Sequence, residues 1–230
     1  MIKRIWNGLL GLLFPSRARC LGCGDLTGNL HEDFLCDRCR EKMDDLFALY
    51  EARDAEKMGL RRAFAPYPYQ PPVKGVIRAF KFSSLPTLAE PLSDEMCRLL
   101  VAQGLTGYDC VAPVPLHRKR EYERGYNQSL LLAQSIAEQL KLPVYTGLRR
   151  TRSTRQQAML SSSERRKNLQ NAFTCKTPVP GPRVLLVDDV LTTGSTAASC
   201  AQALREGGAR QIDACTIALA GAKGHQKSQG

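Results

Sequence analysis

Two periodicities divide the chain. Apolar residues recur every three or four positions across VKGVIRAFKF (73–82) and TLAEPLSDEMCRLLVA (87–102), which predicts two amphipathic helices. Beyond them, short apolar runs alternate with amphipathic stretches to about residue 220, the order expected of a mostly parallel sheet flanked by helices. The run Val184–Val187 is apolar without alternation and reads as a strand covered on both faces. Asp109–Val114 is the expected first core strand. Upstream, Met43, Leu46, Phe47 and Tyr50 fall at helical spacing. Prolines at 66, 68, 71 and 72 then interrupt the pattern, so 51–72 reads as a linker between a first unit (1–50) and an α/β body (73–220). A polar, glycine-rich tail covers 221–230, and no internal repeat is present.

With 43% apolar and 24% charged residues in 230, composition is that of a globular protein and excludes wholesale disorder and collagen-like repeats. Charge adds more. The formal net charge is +11, and residues 109–173 hold 12 Lys or Arg against five Asp or Glu, so +7 of the surplus lies in that stretch. Such a surplus favours polyanionic partners without choosing among phosphates, nucleic acid and anionic lipid. The opening MIKRIWNGLLGLLFP has an apolar stretch from Ile5 to Phe14 but no small-x-small cleavage site. It is shorter than the roughly 20 residues a membrane-spanning helix needs, which leaves a packed helix or an amphipathic anchor open. No later window is apolar enough to span a membrane. The expected location is the cytoplasm, with peripheral contact at the inner membrane left open.

Nine cysteines agree with a reducing compartment: four lie within residues 20–39 and five are scattered, unlike a disulfide framework. The four form Cys20-x2-Cys23 and Cys36-x2-Cys39, two knuckles at zinc-ribbon spacing. Two intervening residues let one tight turn aim both thiolates at one ion, and Gly22 and Gly24 suit such turns. Four thiolates leave no open coordination position, so the expected Zn2+ is structural. In so short a segment, a metal affinity of ~10–16 kcal/mol would supply most of the folding free energy. Reduced cysteines without metal, or an iron–sulfur cluster, are the alternatives the residues leave open. Cys97, Cys110, Cys175, Cys200 and Cys215 read as small core residues.

The most informative stretch is RVLLVDDVLTTGSTAASC (183–200). Asp188 and Asp189 stand at the carboxyl end of an apolar strand, where open α/β sheets bind ligands. Thr192, Thr193, Gly194, Ser195 and Thr196 then supply hydroxyls and closely spaced N–H groups just before a helical pattern begins near Ala197. Neighbouring carboxylates can accept hydrogen bonds from vicinal hydroxyls, so the unit fits a ribose 5′-phosphate. Neither G-x-x-x-x-G-K-[ST] nor a strand-borne G-x-G-x-x-G is present.

VLLVDDVLTTGST resembles the phosphoribosyl-diphosphate (PRPP) motif of type I phosphoribosyltransferases. With the four-cysteine head, PVPLHRKREYERGYNQS, TRSTRQQAML and RRKNL, nearly the whole chain resembles the ComF family of competence-associated phosphoribosyltransferase-like proteins. The resemblance implies a type I phosphoribosyltransferase fold, with a mostly parallel sheet flanked by helices and a small N-terminal zinc-ribbon-like domain. It places Asp188 and Asp189 on the ribose hydroxyls and Val190, Leu191, Thr192, Thr193, Gly194, Ser195 and Thr196 around the 5′-phosphate. Leu116, His117, Arg118 and Lys119 become the diphosphate candidates, with Mg2+ bridging substrate oxygens. It implies phosphoribosyl transfer to an unidentified acceptor with release of diphosphate. The basic run 149–169, with Arg152, Arg155, Gln156, Arg165 and Arg166, has the composition of a cover over phosphates. The same cations suit single-stranded DNA, and the resemblance, to a family associated with DNA uptake beside a helicase, implies as the rival expectation a non-catalytic DNA-binding or partner-binding module. No aromatic residue occurs between 149 and 172, which leaves Tyr122 and Tyr126 as candidates for base stacking.

Overall fold

A computed structural model describes residues 18–151 and 172–221, apart from 28, 32 and 33. Among the described residues, ten strands and six α-helices follow in the order β1 (Ala18–Arg19), β2 (Leu26–Thr27), α1 (Asp37–Leu46), β3 (Tyr50–Glu51), β4 (Arg62–Ala65), β5 (Tyr67–Pro68), α2 (Val73–Phe82), α3 (Ala89–Ala102), β6 (Cys110–Pro113), α4 (Arg118–Arg124), α5 (Gln128–Leu140), β7 (Leu148–Arg150), β8 (Phe173–Cys175), β9 (Arg183–Leu191), α6 (Ser195–Glu206) and β10 (Gln211–Leu219). The central sheet runs β3-β4-β10-β9-β6, and β5 also pairs with β10. Every pairing is parallel except β3 with β4. The fold class expected from the sequence is the one observed.

β9 explains the layering. Its apolar residues alternate between two cores: Leu185 and Val187 join Phe80, Met96, Leu132 and Ile136 from α2, α3 and α5. Val184 and Leu186 join Ala197, Cys200, Ala201 and Leu204 from α6. All four β9 residues are at most 1% exposed, so each contributes about 1.5–3 kcal/mol by burial. A continuous apolar strand is therefore covered by helices on both faces.

Two expectations are corrected. The helix after Cys39 ends at Leu46: Phe47 is its extended C-cap, and Tyr50 pairs with Ala65 in the sheet instead. The stretch 51–72, read as a linker, supplies β4 and β5, which run beside β10 through Ala214↔Ala63 and Ala218↔Tyr67. Its prolines do not prevent this, because Pro66 falls between the two short strands and Pro68 closes the second. Of the scattered cysteines, Cys97, Cys110, Cys200 and Cys215 are buried, whereas Cys175 is half-buried and donates to the Ala203 carbonyl at 3.2 Å.

The cysteine knuckles rest on α2. A Cβ at Gly75 would lie 2.3 Å from the Leu21 carbonyl oxygen and 2.7 Å from that of Gly22, and one at Gly22 would lie 2.7 Å from Pro72 Cβ. Cys20, Cys39 and Met43 share their core with Val73, Val76 and Ile77 of α2. Helix propensity alone favours Gly75→Ala by about 1 kcal/mol. The clash is with backbone and cannot relax cheaply, so the substitution should instead lower stability by roughly 1–3 kcal/mol in denaturant unfolding. A more stable G75A protein would contradict this packing.

Candidate functional site

The acid pair lies within the last four residues of β9, which runs through Asp188 and Asp189 to Leu191. Asp188 pairs with Thr216 of β10. On the other side, the Val114 N–H donates to the Val187 carbonyl at 2.9 Å, so the chain leaving β6 starts beside the acids. The segment Leu116–Lys119 and the turn Thr192–Ser195 thus leave the carboxyl edge of neighbouring parallel strands, where such sheets hold ligands.

Both acids are already held by other elements. Lys81, next to last in α2, places Nζ 2.7 Å from Asp189 Oδ1, with both side chains largely buried. Ser129 of α5 donates its hydroxyl to Asp188 Oδ1 at 2.7 Å, and the Asp189 N–H donates to the same oxygen at 2.9 Å. Burial pushes the Asp188 carboxyl up to about 7, and the neighbouring Asp189 charge adds to it; the Ser129 hydrogen bond and Lys81 act in the opposite sense. Arg124 is also within electrostatic reach. Burial lowers its guanidinium from its ordinary value, while Asp189 and Asp188 oppose that shift.

Lys81, Ser129 and Arg124 were not among the site residues expected from sequence. Ser129 and Arg124 lie in the ERGYNQS segment, whose local roles are visible. Gly125 ends α4 in the left-handed region, and Asn127 caps α5 through its side chain on the Ser129 N–H at 3.1 Å. Gln128 then accepts from Arg124 at 2.9 Å. Lys81 sits between Phe80 and Phe82 with no motif around it.

The turn after β9 is centred on a glycine and lined by hydroxyls. Gly194 has φ +72° and is the N-cap of α6, with no side-chain cap bonded there. The positive φ favours glycine here, and a Cβ at Gly194 would have to displace the flexible end of the Met58 side chain. Thr192 and Thr193 are exposed, and the Thr193 and Ser195 hydroxyls are 3.1 Å apart. Backbone N–H groups at the start of this 12-residue helix, with hydroxyls beside them, are donors of the kind that suits an anion.

On the β6 side, Leu116 and His117 lie in the connection after the strand, and Arg118 and Lys119 open a short helix. His117 caps α4, its Nδ1 accepting from the Lys119 N–H at 3.2 Å, and Arg118 and Lys119 are exposed. Strands β7 and β8 pair antiparallel, Leu148↔Cys175 to Arg150↔Phe173, and flank the basic segment in sequence. Arg152, Arg155, Gln156, Arg165 and Arg166 lie outside the described residues. Of the two tyrosines expected to stack on bases, Tyr126 is engaged: its hydroxyl donates to the Phe80 carbonyl at 2.6 Å. Tyr122 is 91% exposed, and Phe82 is 69% exposed beneath the Arg124 guanidinium, 5.1 Å from its ring centre.

Cys20, Cys23, Cys36 and Cys39 form one cluster, with all four Sγ atoms within 4.8 Å of one another and Cys23 and Cys36 4.0 Å apart. A tetrahedral ion with bonds of about 2.3 Å to sulfur separates its sulfurs by about 3.8 Å, so the donor set fits one. Among the described residues, no helix is long and apolar enough to cross a membrane.

Comparison with known proteins agrees with this geometry. Residues 127–229 match the family model described as phosphoribosyl transferase domain. The chain is 36% identical over 198 residues to the DNA utilization protein YhgH of Escherichia coli O157:H7, covering 84% of this chain and 80% of the relative. It is 40% identical over 116 residues to competence protein F of Haemophilus influenzae, about half of each chain (49% and 51%). With competence protein ComFC of Bacillus subtilis it shares 27% over 214 residues, 88% of this chain and 84% of that one. A four-cysteine head joined to a phosphoribosyltransferase fold, in a chain aligned over most of its length with these proteins, makes it a member of the ComF family.

Proposed function

We propose that the chain binds magnesium and PRPP at the carboxyl edge of the sheet and transfers the phosphoribosyl group to an acceptor. The observation that carries this reading is the convergence of Asp188 and Asp189 with the uncapped, hydroxyl-lined start of α6. The ribose hydroxyls donate to the acid pair, and the 5′-phosphate takes the N–H groups of the Thr192–Thr196 turn. Arg118 and Lys119, exposed at the start of α4, face the leaving diphosphate. The acceptor's lone pair forms a new bond to C1 as the C1–oxygen bond breaks, and the electron pair leaves with diphosphate. Magnesium bound with the substrate would supply countercharge to the leaving diphosphate beside Arg118 and Lys119. Asp189 must exchange Lys81 for substrate, and the freed ammonium then lies beside the site.

The four cysteines hold a structural Zn2+. Elemental analysis should find one zinc per chain, lost on Cys20→Ser; a folded, zinc-free wild-type protein would refute the assignment.

Calorimetry tests the sugar-phosphate reading. Asp188→Asn with Asp189→Asn should weaken magnesium-dependent PRPP binding at least tenfold, about 1.4 kcal/mol, with the fold retained. The pH dependence has a definite sign. Asp188 accepts ribose hydroxyls best when ionised, so affinity should rise with pH through about 7. Unchanged binding in the double variant would reject the site.

A second reading rests on two exposed rings: Tyr122, on the same short helix as Arg118, Lys119 and Arg124, and Phe82, beneath the Arg124 guanidinium. The relatives named for DNA utilization and competence support it. Single-stranded DNA would bind here with strong salt dependence, to which Arg152, Arg155, Arg165 and Arg166 contribute. Each base stacked on a ring contributes about 1–3 kcal/mol, so Phe82→Ala with Tyr122→Ala should reduce affinity at least fivefold. Salt-insensitive binding, or binding indifferent to both rings, would exclude this reading.

A further inference from the structure

At the opposite edge of the sheet lies a cavity of about 330 Å3, lined by Arg61, Arg205 and Arg210 together with Glu56, Gln211 and Ile212. Arg61 precedes β4, Arg210 precedes β10, and Arg205 is in the last turn of α6. Parallel pairing brings the first two starts together, with the Arg61 N–H donating to the Ile212 carbonyl at 2.8 Å. The turn proposed to hold the 5′-phosphate is at the other end of α6. Twelve helical residues separate the two ends by about 18 Å, too far for one sugar phosphate to bridge.

Buried contacts shape this cavity. Asp213 is completely buried and accepts from Arg61 Nε at 2.9 Å and from its Nη2, from the Tyr108 hydroxyl at 2.8 Å and from the Arg62 N–H at 3.2 Å. That carboxylate neutralises Arg61 and fixes its plane. Gln211, with its amide oxygen turned toward Arg61, also accepts from Nε at 2.9 Å. The Arg205 guanidinium fills the space of a missing side chain: a Cβ on Gly59, whose φ is +71°, would lie 2.5 Å from Arg205 Nη1. Among the described residues no carboxylate pairs with Arg205 or Arg210, and nearby Glu206 is engaged by Gln202 at 3.0 Å.

Among the described residues, Arg205 and Arg210 thus line, without a salt-bridge partner, a concave site whose third arginine is already balanced and whose one carboxylate is Glu56. Their joint charge matches a phosphomonoester, which carries about −1.5 to −2 near neutral pH. Their planar forks suit its oxygens. We propose that this cavity binds the terminal phosphate of a small phosphorylated metabolite, with Glu56 accepting a hydroxyl from the remainder. The site is independent of the acid pair.

The test uses the full-length protein, adenosine 5′-monophosphate, inorganic phosphate and adenosine in calorimetry. Because adenosine 5′-monophosphate is itself a ribose 5′-phosphate, binding is measured in Asp188→Asn with Asp189→Asn, where monophosphate binding should persist. It should fall at least tenfold in Arg205→Gln with Arg210→Gln, and adenosine should not bind. Binding of inorganic phosphate that responds to the same arginines supports recognition of the phosphate alone, with no role for Glu56. Gly59→Ala, which displaces Arg205, should weaken binding in the same direction and provides a second variant if the arginine pair impairs folding. Absence of binding to both phosphate probes, equal affinity in the arginine variant, or loss only in the aspartate variant would overturn the proposal.

Discussion

Two adjacent carboxylates on one buried strand are electrostatically costly, and the arrangement around them follows from that cost. Desolvation and mutual repulsion would protonate or expel one of the pair unless cations and donors compensate them. Lys81 compensates Asp189, while the Ser129 hydroxyl and a backbone N–H compensate Asp188. Even so, the Asp188 carboxyl is raised to about 7. Helices α2 and α5 therefore converge on the end of β9 for a polar reason as well as an apolar one. The sheet buries the strand, and the helices bring the charges that let it end in two acids.

Helix α2 also joins the two chemical centres of the molecule. Its amino-terminal turn accepts the cysteine knuckles through Gly75 and Pro72, and its carboxyl-terminal turn delivers Lys81. The same turn is tied to the segment leading into α5, because the Phe80 carbonyl accepts from both Tyr126 and Gln128. A ten-residue helix spans about 15 Å and is stiff on that scale. The cysteine cluster is thus a structural support whose packing bears on where Lys81 stands.

Much of this was legible in the chain because local period and local chemistry coincided. Residues 73–82 and 87–102 read as helices and form α2 and α3, and Val184–Val187 reads as a buried strand and lies in β9. The cysteine spacing predicted a cluster that the fold closes. What could not be read depends on contacts far apart in sequence. β4 and β5 are short runs between prolines, and only pairing with β10 makes them strands. Lys81 is one of many lysines until α2 docks. Tyr126 and Tyr122 look alike in sequence, yet one donates to a backbone carbonyl and the other faces solvent.

The central claim is that the acid pair exchanges an internal cation for a sugar. A crystal structure of the full chain with magnesium and PRPP tests it directly. The account predicts ribose hydroxyl oxygens within hydrogen-bond distance of Asp188 and Asp189, with Lys81 withdrawn from Asp189. An intact Lys81–Asp189 ion pair, with PRPP bound elsewhere or not at all, would contradict it.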